Sequence, residues 1–540
     1  MKKTETLLMG GAGLIIAAAL GIWIVRAQTG AGDTAPTLAA TKYGAFLAAQ
    51  HAVYVNDFDR AADLMRDVPV PDVVSITAVT NTHILADFLS GRIPQNTELL
   101  ADEKSMSARL VYDAHLIGAD DWATLYERHK KDSSALTAPL RIWATVATGK
   151  TKEALAFVKT LDTNASWTAF VRGQIYATMD QPDKAALEFA QVRPEFMNIN
   201  DYLYLMSFYT HFDRPAAAEN LRAEFSKRPG SMFMLAYDTV PDWETYAGIK
   251  NALAFSLIQN VSHTQIMMYT DLALLLLRFA EMTHTGAGNI TDAVNYYIGQ
   301  YFYTNTGNYR QFFTRVGVAS PYAPFAALRL AEGSGDPDAL ARVAAAHPLF
   351  VPAISKQVAS RVSQGDRRGA LRTLNRALAA KNLTDIGRAF FLKSRAGVYL
   401  VFGDLDAAQN DIHAAAEFLP ADPEIVSLQA KIWAAQNREL DDANDYAMTL
   451  VRKNPTDIVA WDTLAAVVAV REGVTPALEL LERVGGVAVT CSSLFERLGD
   501  LYVATGDARR ARDAYLRAID LAEDGLSSIP AIEKKLRKLK

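Results

Sequence analysis

The sequence predicts an all-α chain, a solenoid of antiparallel helix pairs. The clearest segment is Ser492 to Leu521. There Phe495, Leu498, Gly499 and Tyr502 recur at helical spacing, Gly506-Asp507 interrupts, and Ala511, Tyr515 and Ala518 resume the pattern. Gly506 can take the left-handed conformation that ends a helix, and Asp507 can cap the next one. Recurrence is the second observation. Small residues stand twelve apart in five places: Gly499 and Ala511, Gly173 and Ala185, Ala396 and Ala408, Ala49 and Ala61, Ala465 and Ala477. A large residue follows four positions later each time: Tyr515, Phe189, Ile412, Met65 and Leu481. Two small residues let paired helices approach closely, and Tyr176, Tyr399 and Tyr502 fill the flank of the crossing. Third, Pro229, Pro420 and Pro455 fall just beyond second helices, where a helix must stop.

Helix pairs of this kind with a period of roughly 34 residues are tetratricopeptide (TPR) units. Taken in order, residues 1–27 read as a signal peptide or membrane anchor. Leu7 to Val25 is uncharged and apolar, with Lys2 and Lys3 before it and Arg26 after. A run of that length can cross a bilayer, and its flanking charges leave the N-terminus inside and export the rest. Cleavage near Ala27 is the competing reading. Residues 28–41 are small, polar and pattern-free, a flexible tether. Residues 42–230 hold N-terminal TPR-like repeats: a pair from Tyr43 to Arg66, weaker helical spacing to His129, and pairs at Leu140–Leu161, Trp167–Val192 and Tyr202–Pro229.

Residues 231–350 diverge. Ile266 to Leu277 is apolar but short and contains Asp271, which favours a buried helix over a second membrane span. His284 to Asn289 lacks the glycines and lysine of a phosphate loop and reads as a turn. Eight aromatic residues crowd Tyr296 to Phe313 and occupy more than one helical stripe. Either they form a thick core between neighbouring repeats, or some of them, Tyr297, Tyr301, Tyr303 and Phe312, face a groove that could take a glycan or other small ligand. Residues 351–525 return to regular TPR repeats. Residues 526–540 form a basic amphipathic helix, with Ile529, Ile532, Leu536 and Leu539 on one face, suited to cover an open solenoid end.

Bulk properties narrow the function. The net charge is −5, which argues against a nucleic-acid footprint. Cys491 is the one cysteine, so no internal disulfide can form. The nine histidines are scattered without zinc-site spacing, and no nucleophile elbow is present. Acidic pairs such as Asp120-Asp121 and Asp441-Asp442 fall at turns, where capping accounts for them. Helix-pair spacing leaves little room for a separate catalytic domain. The expectation is a non-enzyme with no cofactor and no metal.

Tyr43 to Met65 and the tail from Arg388 to Leu539 resemble exported bacterial TPR proteins. Ser320-Pro321-Tyr322 and Ala327-Leu328-Arg329-Leu330-Ala331 also look like that family's middle region. The segment Leu428 to Trp433 departs from it, where members show a Leu-Gly-Tyr helix. The resemblance implies an envelope protein-interaction role and supplies no catalytic residues.

The expected function is a periplasmic scaffold or assembly factor, tethered to the inner membrane by residues 7–25 if these are retained. It would hold another envelope protein on the concave face made by first helices. Candidate groove residues are Lys393, Glu496, Asp500, Phe170 and Gln174. Equivalent first-helix positions run Lys393, Leu428, Asp462 and Glu496, which is no basic clamp. Such a groove would read an apolar or basic segment. A sensor that closes the aromatic region on a small ligand is the alternative.

Overall fold

Several turns in this chain are set by a left-handed residue followed by a capping aspartate. Gly506 has φ +82° and Asp507 accepts from the Arg510 amide; Gly403 has φ +76° and Asp404 accepts from the Ala407 amide. Asp120 takes the same conformation without being glycine, and Asp121 caps the following helix through Thr124. Asp441 and Asp442 are different. They occupy the first turn of Leu440–Lys453, and Glu439 in front of them makes no side-chain cap. Negative charge in a first turn is still favourable against the helix dipole.

A computed structural model describes residues 42–539, except 56, 67, 69–75, 93–96, 101–105, 135, 162–164, 227–239, 264–270, 286–287, 306–308, 337, 382 and 485–490. The anchor and tether expected over 1–27 and 28–41 lie outside the described residues. Among those described, all regular structure is helical, and no helix is long and apolar enough to cross a membrane.

Two compact units divide at Tyr112 and Asp113, inside the segment read as N-terminal repeats. The first contains the pair Lys42–Tyr54 and Phe58–Met65 and the helix Ile76–Ser90. Ala49, Ala61 and Met65 are buried at their crossing, as the small-small-large spacing requires.

The second unit begins with the end of helix Met106–Gly118 and helix Trp122–His129, followed by pairs at Ala138–Ala147/Thr151–Thr160, Ala165–Thr178/Pro182–Phe189 and Ile199–His211/Pro215–Ser226. Gly173 packs so closely on Phe189 that a Cβ there would sit 2.3 Å from a ring carbon. Gly499 stands in the same relation to Tyr515. The second members of the small-residue pairs are sealed in as well: Ala185, Ala408 and Ala511 have no exposed surface, and neither has Ala396. These four are core residues that set helix approach, and none of them offers a surface to a partner. Tyr176 and Tyr399, on the flanks of their crossings, are only half-buried. The helices of these pairs cannot close to this distance with larger residues, so the sequence spacing and the helix approach are one fact.

Helix Ile249–His263 breaks the simple succession. It lies back against the first helices of the preceding pairs. Trp143 Nε1 donates to Ser256 Oγ at 2.9 Å, Phe170 stacks on Phe255 with centroids 6.3 Å apart, and Gln259 Nε2 donates to Asp201 at 2.6 Å. Leu274 to Leu277, in the following helix Asp271–Thr283, are buried.

Asn289–Asn305 and the short Arg310–Phe313 then make a compressed pair. A Cβ on Gly299 would meet the ring of Phe313 at 2.6 Å, the same close approach in shorter spacing. Ala323–Glu332/Ala339–Ala346 follows, then five regular pairs: Val351–Ser363/Arg367–Leu378, Asp385–Val401/Leu405–Phe418, Pro423–Gln436/Leu440–Lys453, Ile458–Arg471/Val474–Val484 and Ser492–Ala504/Ala508–Leu521. The basic helix Ile529–Lys538 closes the chain. Its Ile532 is buried against Ala511, Tyr515 and Ala518.

Candidate functional site

In a helix-pair solenoid the first helices line the inner face. In the second unit this face has two fates. Over the pairs between 138 and 226 it is covered by the chain's own helix Ile249–His263. Phe170 is therefore buried, between Phe189, Tyr204 and Phe255. Gln174, one turn on, is fully buried, and neither atom of its amide has a hydrogen-bond partner. Neither residue presents a surface to a partner. The sequence placed them on the inner face, but periodicity carries no information about a helix some eighty residues later that returns to fill it.

Over the last five pairs the inner face is open. It encloses a cavity of about 710 Å³. Its apolar wall includes Val358, Val401, Leu428, Ala466, Val470 and Leu526. Gly397 also lines it, and a Cβ built there meets nothing within 4 Å. Lys393, Glu496 and Asp500, candidates drawn from separate stretches of sequence, all line this one cavity.

The polar groups of the wall are already engaged. Lys393 is buried and pairs with Glu424 at 2.6 Å and Asp422 at 3.5 Å. Glu496 and Asp500 share the ammonium of Lys535, at 2.8 and 2.7 Å, from the terminal helix. Glu496 also accepts from Ser527 Oγ, and Asp500 from the Tyr515 hydroxyl. Asp462 is the centre of the site. Fully buried, it accepts from Lys431 at 2.7 Å, Arg497 at 2.8 Å and Ser493 Oγ at 2.8 Å. Burial pushes its carboxyl up, but Arg497 and Lys431 outweigh that and hold it well below the usual carboxylate range. Of the Lys431–Asp462–Arg497 triad, the sequence reading places Asp462 among the first-helix positions and misses Lys431 and Arg497. A signal for it exists, since the three fall on successive first helices, but reading each position singly does not reveal a network.

Six carboxylates line the cavity (Glu424, Asp457, Asp462, Glu496, Asp500 and Asp524) against three lining cations (Lys393, Lys431 and Arg497), with Lys535 behind Glu496 and Asp500 as a fourth. The wall is net acidic with apolar stretches. It can hold a basic or apolar segment by charge and burial. No group of three or more histidine, cysteine or acidic side chains suited to a metal occurs among the described residues.

The aromatic candidates lie elsewhere. Tyr297, Tyr301 and Phe312 are buried, and Tyr303 is half-buried with its hydroxyl donating to Glu332 at 3.1 Å. Tyr297 receives the Asn200 amide at 3.0 Å, and Phe312 stacks on Phe302 at 4.9 Å. These rings are used on two sides: Phe312 and Phe313 of the short helix Arg310–Phe313 pack on Phe302 and Tyr296, and Tyr322 packs on Tyr296 and Tyr297. That packing, rather than a groove, consumes them.

No protein-family model matches the chain, and no curated protein matches it. Solved structures similar to it include a tetratricopeptide repeat protein from Parabacteroides merdae at 13% identity and TM-score 0.32, covering 54% of this chain and 98% of that one. The APC/C hetero-tetramer Cut9-Hcn1 is similar at 13% identity and TM-score 0.31, covering 90% and 95%. The human IFIT1 dimer with PPP-AAAA is similar at 13% identity and TM-score 0.30, covering 75% and 86%. At such scores the repeat type rests on the chain's own helix-pair geometry.

Proposed function

We propose that this protein is a non-catalytic scaffold that holds an extended segment of another protein in the cavity of its last five helix pairs. One observation carries the reading. Of the two inner faces in the second unit, one is filled by the chain's own helix, and the other is open, apolar and net acidic. The favoured occupant carries lysine or arginine among aliphatic residues. Its cations complement the surplus carboxylates, and its aliphatic groups bury against Leu428, Val401 and Leu526. The same surplus repels a phosphate backbone, which disfavours nucleic acid as the occupant.

The location is part of the proposal. The apolar run from Leu7 to Val25 supports export to the periplasm and a tether in the inner membrane, with an envelope protein as partner.

Charge reversal at Glu496 and Asp500 is a poor test, because it also breaks the contacts to Lys535. Gly397→Trp is better, since the new side chain projects into open space. The wild-type chain should bind peptides of mixed basic and aliphatic character from an immobilised array, more weakly in high salt. Gly397→Trp should fold normally and lose that binding. Equal binding by the two proteins would remove the cavity from the mechanism.

A further inference from the structure

The last five pairs do not end in open solvent; the tail turns back and meets the first of them. After the 3₁₀ turn Ala522–Asp524, Gly525 takes φ +76° and lies against the helix Val351–Ser363. A Cβ on Gly525 would sit 2.6 Å from the Cα of Ala359. Next to this contact, Gly365 faces Pro530 and Ser528, with 3.2 Å from its built Cβ to Pro530 Cγ and 3.5 Å to Ser528 Oγ. The cavity is thus encircled: Val358 and Ala359 on one side of this seam, and Gly525 and Leu526 on the other, all line it.

The two sides of the seam are held very differently. The tail is tied to the pair it follows by polar bonds. Ser492 donates its amide and hydroxyl to Asp524, Ser527 donates to Glu496, and Lys535 bridges Glu496 and Asp500. Between 351–366 and 522–539, no hydrogen bond or ion pair occurs among the described residues; beside Gly365, Arg361 pairs with Asp366 and Arg367 pairs with Asp404. At its two glycines the seam is made by the backbone and methyl of Ala359 against Gly525, and by Pro530 and Ser528 against Gly365. Every other junction in the ring is a stack of whole helices with buried side chains such as Ile412, Leu464 and Leu481. A ring opens where its interface is weakest.

We propose that residues 522–530 are a clasp that gates the cavity: the seam at Ala359/Gly525 and Gly365/Ser528 parts to admit an occupant and re-forms behind it, while the tail stays bound to the last pair through Asp524, Glu496 and Asp500. The clasp takes its purpose from the segment-binding reading above, but its test needs no partner. An occupant of a closed ring leaves slowly, so the clasp would convert modest affinity into long residence.

The test is size-dependent thiol labelling. Gly397→Cys places a reporter inside the cavity, in a Cys491→Ser background that removes the native thiol. N-ethylmaleimide and a long-chain polyethylene-glycol maleimide serve as probes. With a gated seam, the small reagent reacts fast and the polymer slowly. Adding Gly365→Cys with Ser528→Cys, oxidised to a disulfide, blocks the polymer reaction, and reduction restores it. Two wedges, Gly525→Val and Ala359→Leu, speed the polymer reaction by about tenfold or more. The second wedge avoids backbone strain, so it still reports if Gly525→Val disturbs the fold. Polymer rates that are equal in wild-type, locked and wedged proteins, or as fast as the small reagent in wild type, would overturn the clasp. Loss of peptide binding in Gly397→Trp is a separate result: it tests the cavity's use, and the labelling tests its gate.

Discussion

The indole N–H of Trp143 donates to the hydroxyl of Ser256 at 2.9 Å, with both residues buried and 113 positions apart. This bond pins helix Ile249–His263 into the inner face of the earlier pairs. Beside it, Phe255 packs on Phe170 and Tyr204, and Lys250 pairs with Asp120. Ser256→Ala should leave the indole donor buried without a partner, at a cost of about 1–3 kcal/mol. Denaturant melts of wild type and variant measure it; an unchanged midpoint would mean that this helix is only loosely seated.

Two glycines in equivalent helices should respond in opposite directions. At Gly397 a Cβ meets open space, so Gly397→Ala should stabilise the helix by about 0.5–1 kcal/mol. At Gly499 the same methyl overlaps the ring of the buried Tyr515, so Gly499→Ala should destabilise by about 1–3 kcal/mol. Thermal unfolding of the pair of variants reads both signs at once.

Asp462 should make stability depend on acid. Its carboxyl is depressed in the folded chain, so its contribution is complete above the ordinary carboxylate range and is lost as pH falls below it. Asp462→Asn should flatten that acid limb of a Tm-against-pH curve. It should also destabilise at neutral pH by about 3–5 kcal/mol, because Lys431 and Arg497 lose the carboxylate that pairs them.

His263 has the opposite sign. Burial lowers its pKa, but the Asp201 carboxylate at 2.7 Å outweighs this and leaves it raised. The stability it contributes is complete below its ordinary value near ~6.5 and is lost as pH rises through the raised one. His263→Gln should remove that neutral-limb slope and leave the acid limb governed by Asp462 intact.

The helix pairs were legible because close approach demands a particular local pattern. Gly173 with Phe189, and Gly499 with Tyr515, are read from spacing alone and found in contact. Ala185 and Ala408 are read the same way and found fully buried. Contacts between distant elements left no such trace. Nothing near Phe170 announces Phe255, and nothing near Ala359 announces Gly525. The aromatic cluster shows the same limit from the other side. Eight rings in one stretch look like excess until Tyr322, Phe325 and Asn200 supply a second wall from outside it. Lys393, Glu496 and Asp500 were found on the cavity wall because first-helix register fixes which way a side chain points. Their engagement by Glu424 and Lys535 was not legible, because those partners come from the next pair and from the terminal helix.

The central claim is that the cavity of the last five pairs holds a partner segment. It is tested most directly by in-cell photo-crosslinking, with a photoreactive residue at Leu428 inside the cavity or at Leu516 on the exposed face of a second helix. A discrete adduct at Leu428 that disappears in Gly397→Trp and is missing at Leu516 is the result expected. Adducts at Leu516 alone, or adducts at Leu428 that persist in Gly397→Trp, would contradict it.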